Sequence, residues 1–221
     1  MLKRAYAFKT SCYPAKKRAK TVQAKLSRLQ RQVALLKPET KIFQSTGSFT
    51  NMTAGTYYVQ YLSAIAQGSD KVNRIGNTIR PKGLHLKGAL QDWVTSAQGD
   101  AYYMAIVLDR DSNGVVPTAS GTAESIFTSA NFYSALVQEN TADRFKILWD
   151  NTATSYAMTN GLKGYPFIEL RSALSSAMTF RDTSAAQTGA GKNALYLVLL
   201  PIASNSLVDF NFGWEITFTD V

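Results

Sequence analysis

The chain has 221 residues, 45% of them apolar and 18% charged, and a formal net charge of +9. That balance builds a core and excludes a wholly disordered chain. No apolar run reaches the roughly 18 residues of a membrane-spanning helix, the single Cys12 excludes an internal disulfide framework, and the single His85 excludes a site needing two histidine ligands from one chain.

The charge is unevenly placed. Residues 1–41 carry 12 of the 24 Lys/Arg and one of the 15 Asp/Glu, a net of +11, whereas residues 42–221 carry the other 12 and 14, a net of −2. A near-neutral body therefore follows a concentrated cationic arm, and an arm of that density needs a polyanion or repels itself into disorder. The boundary falls near residue 40, giving an arm over 1–40 and a body over 41–221.

The arm opens Met-Leu-Lys-Arg, without the apolar stretch of a signal peptide. Residues 1–20 lack apolar periodicity and contain Pro14, which predicts a segment disordered until bound. Tyr6, Phe8 and Tyr13 interleave with its cations as bases for stacking. Lys3, Arg4, Lys9, Lys16, Lys17, Arg18 and Lys20 are candidate phosphate contacts, joined further on by Lys25, Arg28 and Arg31. Lys16-Lys17-Arg18 also fits a nuclear import signal.

Residues 21–37 change character. Val22, Leu26, Leu29, Val33 and Leu36 step by four, three, four and three, which places all five on one stripe of a helix. Thr21 suits its N-cap and Pro38 ends it. A helix of this length is marginal alone in water, so the stripe needs a surface, either the body or copies of itself.

From residue 41 strand signals take over. Tyr57–Ser63 follows the turn Thr53-Ala54-Gly55. Leu84, Leu86 and Leu90 alternate with His85, Lys87 and Ala89. Tyr102, Met104, Ile106 and Leu108 alternate along another strand, and Phe145–Trp149 is short and apolar. An excursion over 119–142 has room for a short helix near Thr122–Thr128. Pro166–Leu170 and Met178–Arg181 read as weaker strands. Leu195–Leu200 is an unbroken apolar run, as in a strand covered on both faces. Phe210, Phe212, Trp214, Ile216 and Phe218 alternate with Asp209, Asn211, Gly213, Glu215 and Thr217, which predicts an aromatic inner face and a polar outer one. About eight strands without βαβ alternation predict an all-β, antiparallel sandwich, for which the jelly roll is one solution.

Other patterns carry less. Asp109, Asp111, Asn113 and Gly114 match the first half of a calcium loop, but Ser120 stands where its bidentate glutamate belongs. Gly189, Gly191 and Lys192 resemble the end of a phosphate loop, yet Ala186 replaces the first glycine and a strand follows where a helix should. Cys12, in the arm, cannot be held beside His85 as a nucleophile beside its base. The carboxylates form no dyad, and the chain reads as a non-enzyme with no required cofactor.

The body resembles coat proteins of the satellite tobacco necrosis virus type and similar single-jelly-roll capsid proteins of small circular single-stranded DNA viruses. The resemblance rests on short segments in order: Gln67-Gly68-Ser69-Asp70, Arg74-Ile75-Gly76-Asn77, Leu84-His85-Leu86-Lys87-Gly88, Asp109-Arg110-Asp111, Thr128-Ser129-Ala130-Asn131-Phe132, Arg144-Phe145-Lys146-Ile147-Leu148 and Thr219-Asp220-Val221. It implies an eight-stranded jelly roll that closes into a T=1 icosahedral shell of about 60 copies. It further implies helices clustered inside at the threefold axes, where three copies bury Val22, Leu26, Leu29, Val33 and Leu36 together. Calcium between subunits is implied at Glu39 and Asp220; at a second calcium position of the family this chain has Ser69. The implied partners are copies of the chain, a single-stranded DNA or RNA genome and an unidentified host receptor, without membrane insertion. The implied location is the virion, with the host nucleus during assembly. The rival expectation is a lectin-like β-sandwich module with a basic anchoring tail.

Overall fold

The computed structural model describes residues 22–29, 39–92, 101–122, 125–129, 136–154, 156–157, 163–164, 167–201 and 208–221. The chain divides into two units, Met1–Pro38 and Glu39–Val221. In the first, residues 22–29 are helical with every side chain exposed. The remainder of the expected 21–37 helix lies outside the described residues.

The second unit is built from strands. In chain order these are β1 Thr40–Met52, β2 Tyr58–Tyr61, β3 Thr78–Asp92, β4 Ala101–Asp109, β5 Phe145–Thr154, β6 Tyr156–Ala157, β7 Lys163–Gly164, β8 Phe167–Ala173, β9 Met178–Thr179, β10 Ala194–Pro201 and β11 Val208–Asp220. One sheet runs β1-β11-β3-β8, with β9 as a short second partner of β3; the other runs β2-β10-β4-β5; β6 and β7 form a separate ribbon. Every pairing is antiparallel. The pairs nest: the outermost strands β1 and β11 are neighbours, then β2 and β10, then β3 and β8, and innermost β4 and β5. A long hairpin folded once more upon itself gives this order, and the fold is an antiparallel sandwich of jelly-roll type.

Alternation explains which side of each strand faces the partner sheet. Phe210, Phe212, Trp214, Ile216 and Phe218 of β11 point into the space between the sheets, where they meet Met104, Ile106 and Leu108 of β4 and Leu195, Leu197 and Leu199 of β10. Burying each of these side chains contributes about 1.5–3 kcal/mol. At Phe212 the rings take so much room that both cross-strand neighbours are glycines. Phe212 sits between Gly47 and Gly88, and a Cβ on either glycine would fall 2.7 or 2.5 Å from a phenyl carbon. The indole Nε1 of Trp214 donates to the carbonyl of Leu62 at 2.8 Å, which satisfies a polar atom inside the core.

Pro81 lies within β3, a central strand that ordinarily excludes proline. It stands at a bulge: Thr217 pairs with Gly83 and Phe218 with Pro81, so Lys82 is the extra residue. On the other side, β8 ends opposite Gly83 and β9 begins opposite Ile79, so no ladder partner is lost.

Two expectations change here. β1 was not among the expected strands; Thr40–Met52 is rich in Ser, Thr and Gly, and its cover comes from pairing with β11 alone. No helix forms at 122 and 125–128, the described part of the segment where one was expected. Instead Phe127 makes an antiparallel bridge with Val137, and its amide donates to the carbonyl of Ala119 at 2.8 Å. The extended path lets Ile126 and Phe127 pack on Tyr103, Ala105, Val107, Val198 and Leu200, the outer side of the second sheet, with the Phe127 ring edge-on to Tyr103. That cover is why β4 is buried on both faces rather than alternating.

Candidate nucleic-acid and subunit interfaces

The helix at 22–29 carries the first part of the expected stripe. Val22, Leu26 and Leu29 are 66%, 54% and 57% exposed. At 100° per residue they share one face, and Lys25 and Arg28 lie beside it. Lys3, Arg4, Lys9, Lys16, Lys17, Arg18, Lys20, Arg31, Val33 and Leu36 lie outside the described residues, as does Cys12.

The body presents a second charged surface, on the solvent side of β1-β11-β3-β8. Strand register sets it out in rows. Gln44, Glu215, His85 and Arg171 form one row; Thr46, Gly213, Lys87 and Glu169 the next; Ser48, Asn211, Ala89 and Phe167 the third. Arg80 and Lys82 extend the same side of β3, both exposed. Glu169 has three partners on this face, with His85 Nε2 at 2.9 Å, Arg171 at 3.2 Å and Lys87 at 3.6 Å. Hydrogen bonds first from His85 and then from Arg171 hold its carboxyl below the usual carboxylate range. Glu215 accepts the Gln44 side-chain amide at 2.8 Å. The small residues of the middle rows leave a shallow trough of about 680 Å³, lined by Lys87, Ala89, Phe167, Asn211 and Gly213 among others. Phe167, on the wall of this trough, is 65% exposed. Sequence reasoning passed over Arg80, Lys82, Lys87, Phe167 and Arg171; the alternation through 84–90 placed Lys87 outward, but nothing local pairs it with β8.

Glu39 and Asp220, implied as calcium ligands, are placed differently. One oxygen of Asp220 lies 2.9 Å from the Lys41 ammonium, and the other accepts the Ile75 amide at 2.9 Å. Lys41 is buried and also donates to the Asn73 carbonyl at 2.8 Å. Glu39 is exposed. Both Asp220 oxygens serve protein donors, and an ammonium beside them repels a divalent cation. Within one chain these residues do not fit calcium; they form a lysine clasp that ties the start of β1 and the end of β11 to the 67–77 loop. Among the described residues no three His, Cys, Asp or Glu side chains converge on a metal position.

Two clusters that read as motifs have structural work. Asp109 is fully buried and takes both Arg144 nitrogens at 2.9 Å, while the guanidinium lies over Phe145. Asn113 caps a turn by accepting the Val115 amide, and Gly114 is in the left-handed region at φ 80°. Gly191 packs against the Thr179 carbonyl, where a Cβ would come within 2.5 Å.

Arg74 is the most enclosed cation. It is fully buried, donates to the carbonyls of Ile65, Gly76 and Asp182 and to the Asn77 amide oxygen, and lies 4.1 Å from the Phe180 ring centroid. Desolvation lowers its pKa from the ordinary value. The Arg-Ile-Gly-Asn segment is therefore a knot that fixes the 67–77 loop, not a ligand site.

No helix among the described residues is long and apolar enough to cross a membrane. No protein-family model matches the chain, and no curated protein matches it. Solved structures give distant likenesses. Dimeric latent PorU from Porphyromonas gingivalis aligns over 83% of this chain, at 10% identity and a TM-score of 0.36, and the aligned region is 14% of its own chain. Desmodium yellow mottle tymovirus aligns over 82% of this chain and 89% of its own, at 8% identity and a TM-score of 0.32. The decameric BFDV capsid protein aligns over 84% and 100%, at 9% identity and a TM-score of 0.34.

Proposed function

We propose that the protein is a viral capsid subunit whose jelly-roll bodies close into a shell and whose arm condenses single-stranded nucleic acid inside it. The observation that carries the reading is the pairing of a nested jelly-roll sandwich with a net charge of +11 over residues 1–41 against −2 over residues 42–221. Jelly rolls serve capsids, lectins and cupins. A cupin metal site takes several histidines and this chain has one. A lectin gives no reason for so concentrated a cationic segment. A container for a polyanion does, because each neutralised phosphate releases a counterion.

The finer form of the proposal is a T=1 shell of about 60 copies. Residues 1–40 serve as the genome arm and 41–221 as the shell domain. Lys3, Arg4, Lys9, Lys16, Lys17, Arg18, Lys20, Lys25, Arg28 and Arg31 meet phosphates without reading sequence. Val22, Leu26, Leu29, Val33 and Leu36 pack against the same stripe on two other copies. The virion is its place of function, and Lys16-Lys17-Arg18 directs it to the nucleus for assembly.

Sedimentation of the purified chain with single-stranded nucleic acid, followed by nuclease digestion, tests this. Megadalton particles with protected contents are expected, and removal of residues 1–20 should leave shells that protect nothing. A chain that stays at 24.2 kDa and binds no polynucleotide overturns the reading.

A further inference from the structure

We propose that the solvent face of β1-β11-β3-β8 is a second contact for single-stranded nucleic acid, in which Phe167 stacks on a base while Lys87, Arg171, Arg80 and Lys82 meet phosphates. The inference rests on the packaging role proposed above and adds a body surface to the arm.

Three features of the molecule carry it. The first is bareness. The outer side of the other sheet is sealed by Ala119, Ile126 and Phe127, whereas this side has no covering segment among the described residues. The second is its chemistry. Its rows carry Lys87, Glu169, His85, Glu215 and Arg171 at the centre, and charged residues are depleted from the centres of protein–protein contacts. A trough with Lys87 on its wall and an exposed aromatic beside it, flanked by Arg171, Arg80 and Lys82, instead suits a sequence-tolerant single-strand site. The carboxylates on this face are already engaged: Asp209 accepts the Asn51 amide, Glu215 takes Gln44, and Glu169 lies beside Lys87, Arg171 and the His85 ring. The Lys82 ammonium, by contrast, is held by the Thr40 hydroxyl at 2.8 Å.

The third is spacing. Phe167 and Lys87 stand on neighbouring rows of adjacent strands, and neighbouring rows on one face lie about 7 Å apart. A base on Phe167 thus leaves its phosphate near Lys87, and the next step along the strand leads to Arg171. Gly213, Ala89, Thr46 and Ser48 keep the floor low enough for the backbone to lie along it.

Fluorescence anisotropy of a labelled oligothymidylate with the full chain tests the proposal. Phe167→Ala is expected to weaken binding by about 5- to 150-fold, and Phe167→Trp to retain it. Replacing Arg80, Lys87 and Arg171 together by alanine should reduce the slope of log affinity against log salt by about 2. Ultraviolet cross-linking of the unaltered chain should place an adduct on Phe167, which decides the matter even if a variant misfolds. Unchanged affinity and slope in folded variants, with no adduct at Phe167, overturn the proposal. So does a change in sedimentation without a change in oligonucleotide binding, which makes the face a contact between copies. Alanine at Lys16, Lys17, Arg18 and Lys20 separates the two readings. If that variant loses affinity while the face variants do not, only the second contact fails. If neither set loses affinity, the packaging role fails as well.

Discussion

The two sheets of the sandwich share one core and differ on their far sides. The sheet β2-β10-β4-β5 is closed over by the chain's own excursion: β4 and β10 are buried throughout, and Tyr103, Val107, Val198 and Leu200 lie beneath Ile126 and Phe127. The sheet β1-β11-β3-β8 keeps an alternating pattern, aromatic within and polar without. The difference teaches where stability and recognition reside. The covered sheet is held by apolar contact and the Asp109–Arg144 pair, and its exposed polar side chains, Lys146, Asp150, Asn151 and Thr152, lie on the edge strand β5. The bare sheet is anchored from beneath by its aromatic rows, so its outer residues are free to vary in charge at little cost to the fold.

The contrast can be broken most severely from the covered side. Phe127→Ala removes a fully buried ring and is expected to cost about 3–5 kcal/mol in urea unfolding. A cost under about 1 kcal/mol would mean that the excursion does not seal the sheet. The clasp between the termini of the body comes next. Lys41→Met leaves Asp220, 19% exposed, without its cation, and about 2 kcal/mol should be lost. Because the lysine supplies the charge, a chelator should leave the melting temperature of the unaltered chain unchanged. On the bare side, Lys87→Ala and Arg171→Ala should each stay within about 0.5 kcal/mol of the parent, as expected of exposed positions outside any packed network.

The smallest effect is a pH dependence. Glu169 has its folded-state pKa lowered from 4.5 by His85 and then Arg171. The folded form therefore binds fewer protons than the unfolded chain. This contribution is present above pH 4.5 and fades as pH falls through the folded value. Glu169→Gln should lower the neutral part of a melting-temperature profile slightly and make its acid limb shallower. An identical acid limb would show that the pair does nothing for the fold.

The strands that sequence reasoning reads well are those whose pattern has a local cause. β10 is apolar on both sides because it is covered on both, and β11 alternates because it is not. β1 escapes such reading because its inner apolar residues, Phe43, Phe49 and Met52, are separated by Ser45 and Gly47 and are completed by rings from β11, a strand over 150 residues away in the chain. The 119–142 excursion misleads in the opposite way. Its Ile126 and Phe127 suit a helix locally, but the sheet beneath them rewards an extended path. The cationic arm is legible because charge density is a property of the segment itself. The body surface is not: His85, Lys87 and Arg171 become one site only when β3 and β8 pair, and Glu169 is 84 residues from His85. Asp220, beside the C-terminus, reads as a solvated or metal-binding carboxylate until β1 brings Lys41 to it.

Electron cryomicroscopy of particles assembled by the full chain with single-stranded nucleic acid tests the central claim most directly. The account predicts closed shells in which polynucleotide density lies against β1-β11-β3-β8 and the sealed sheet faces away from it. Open or absent assemblies, or density seated on the 119–142 excursion, would contradict it.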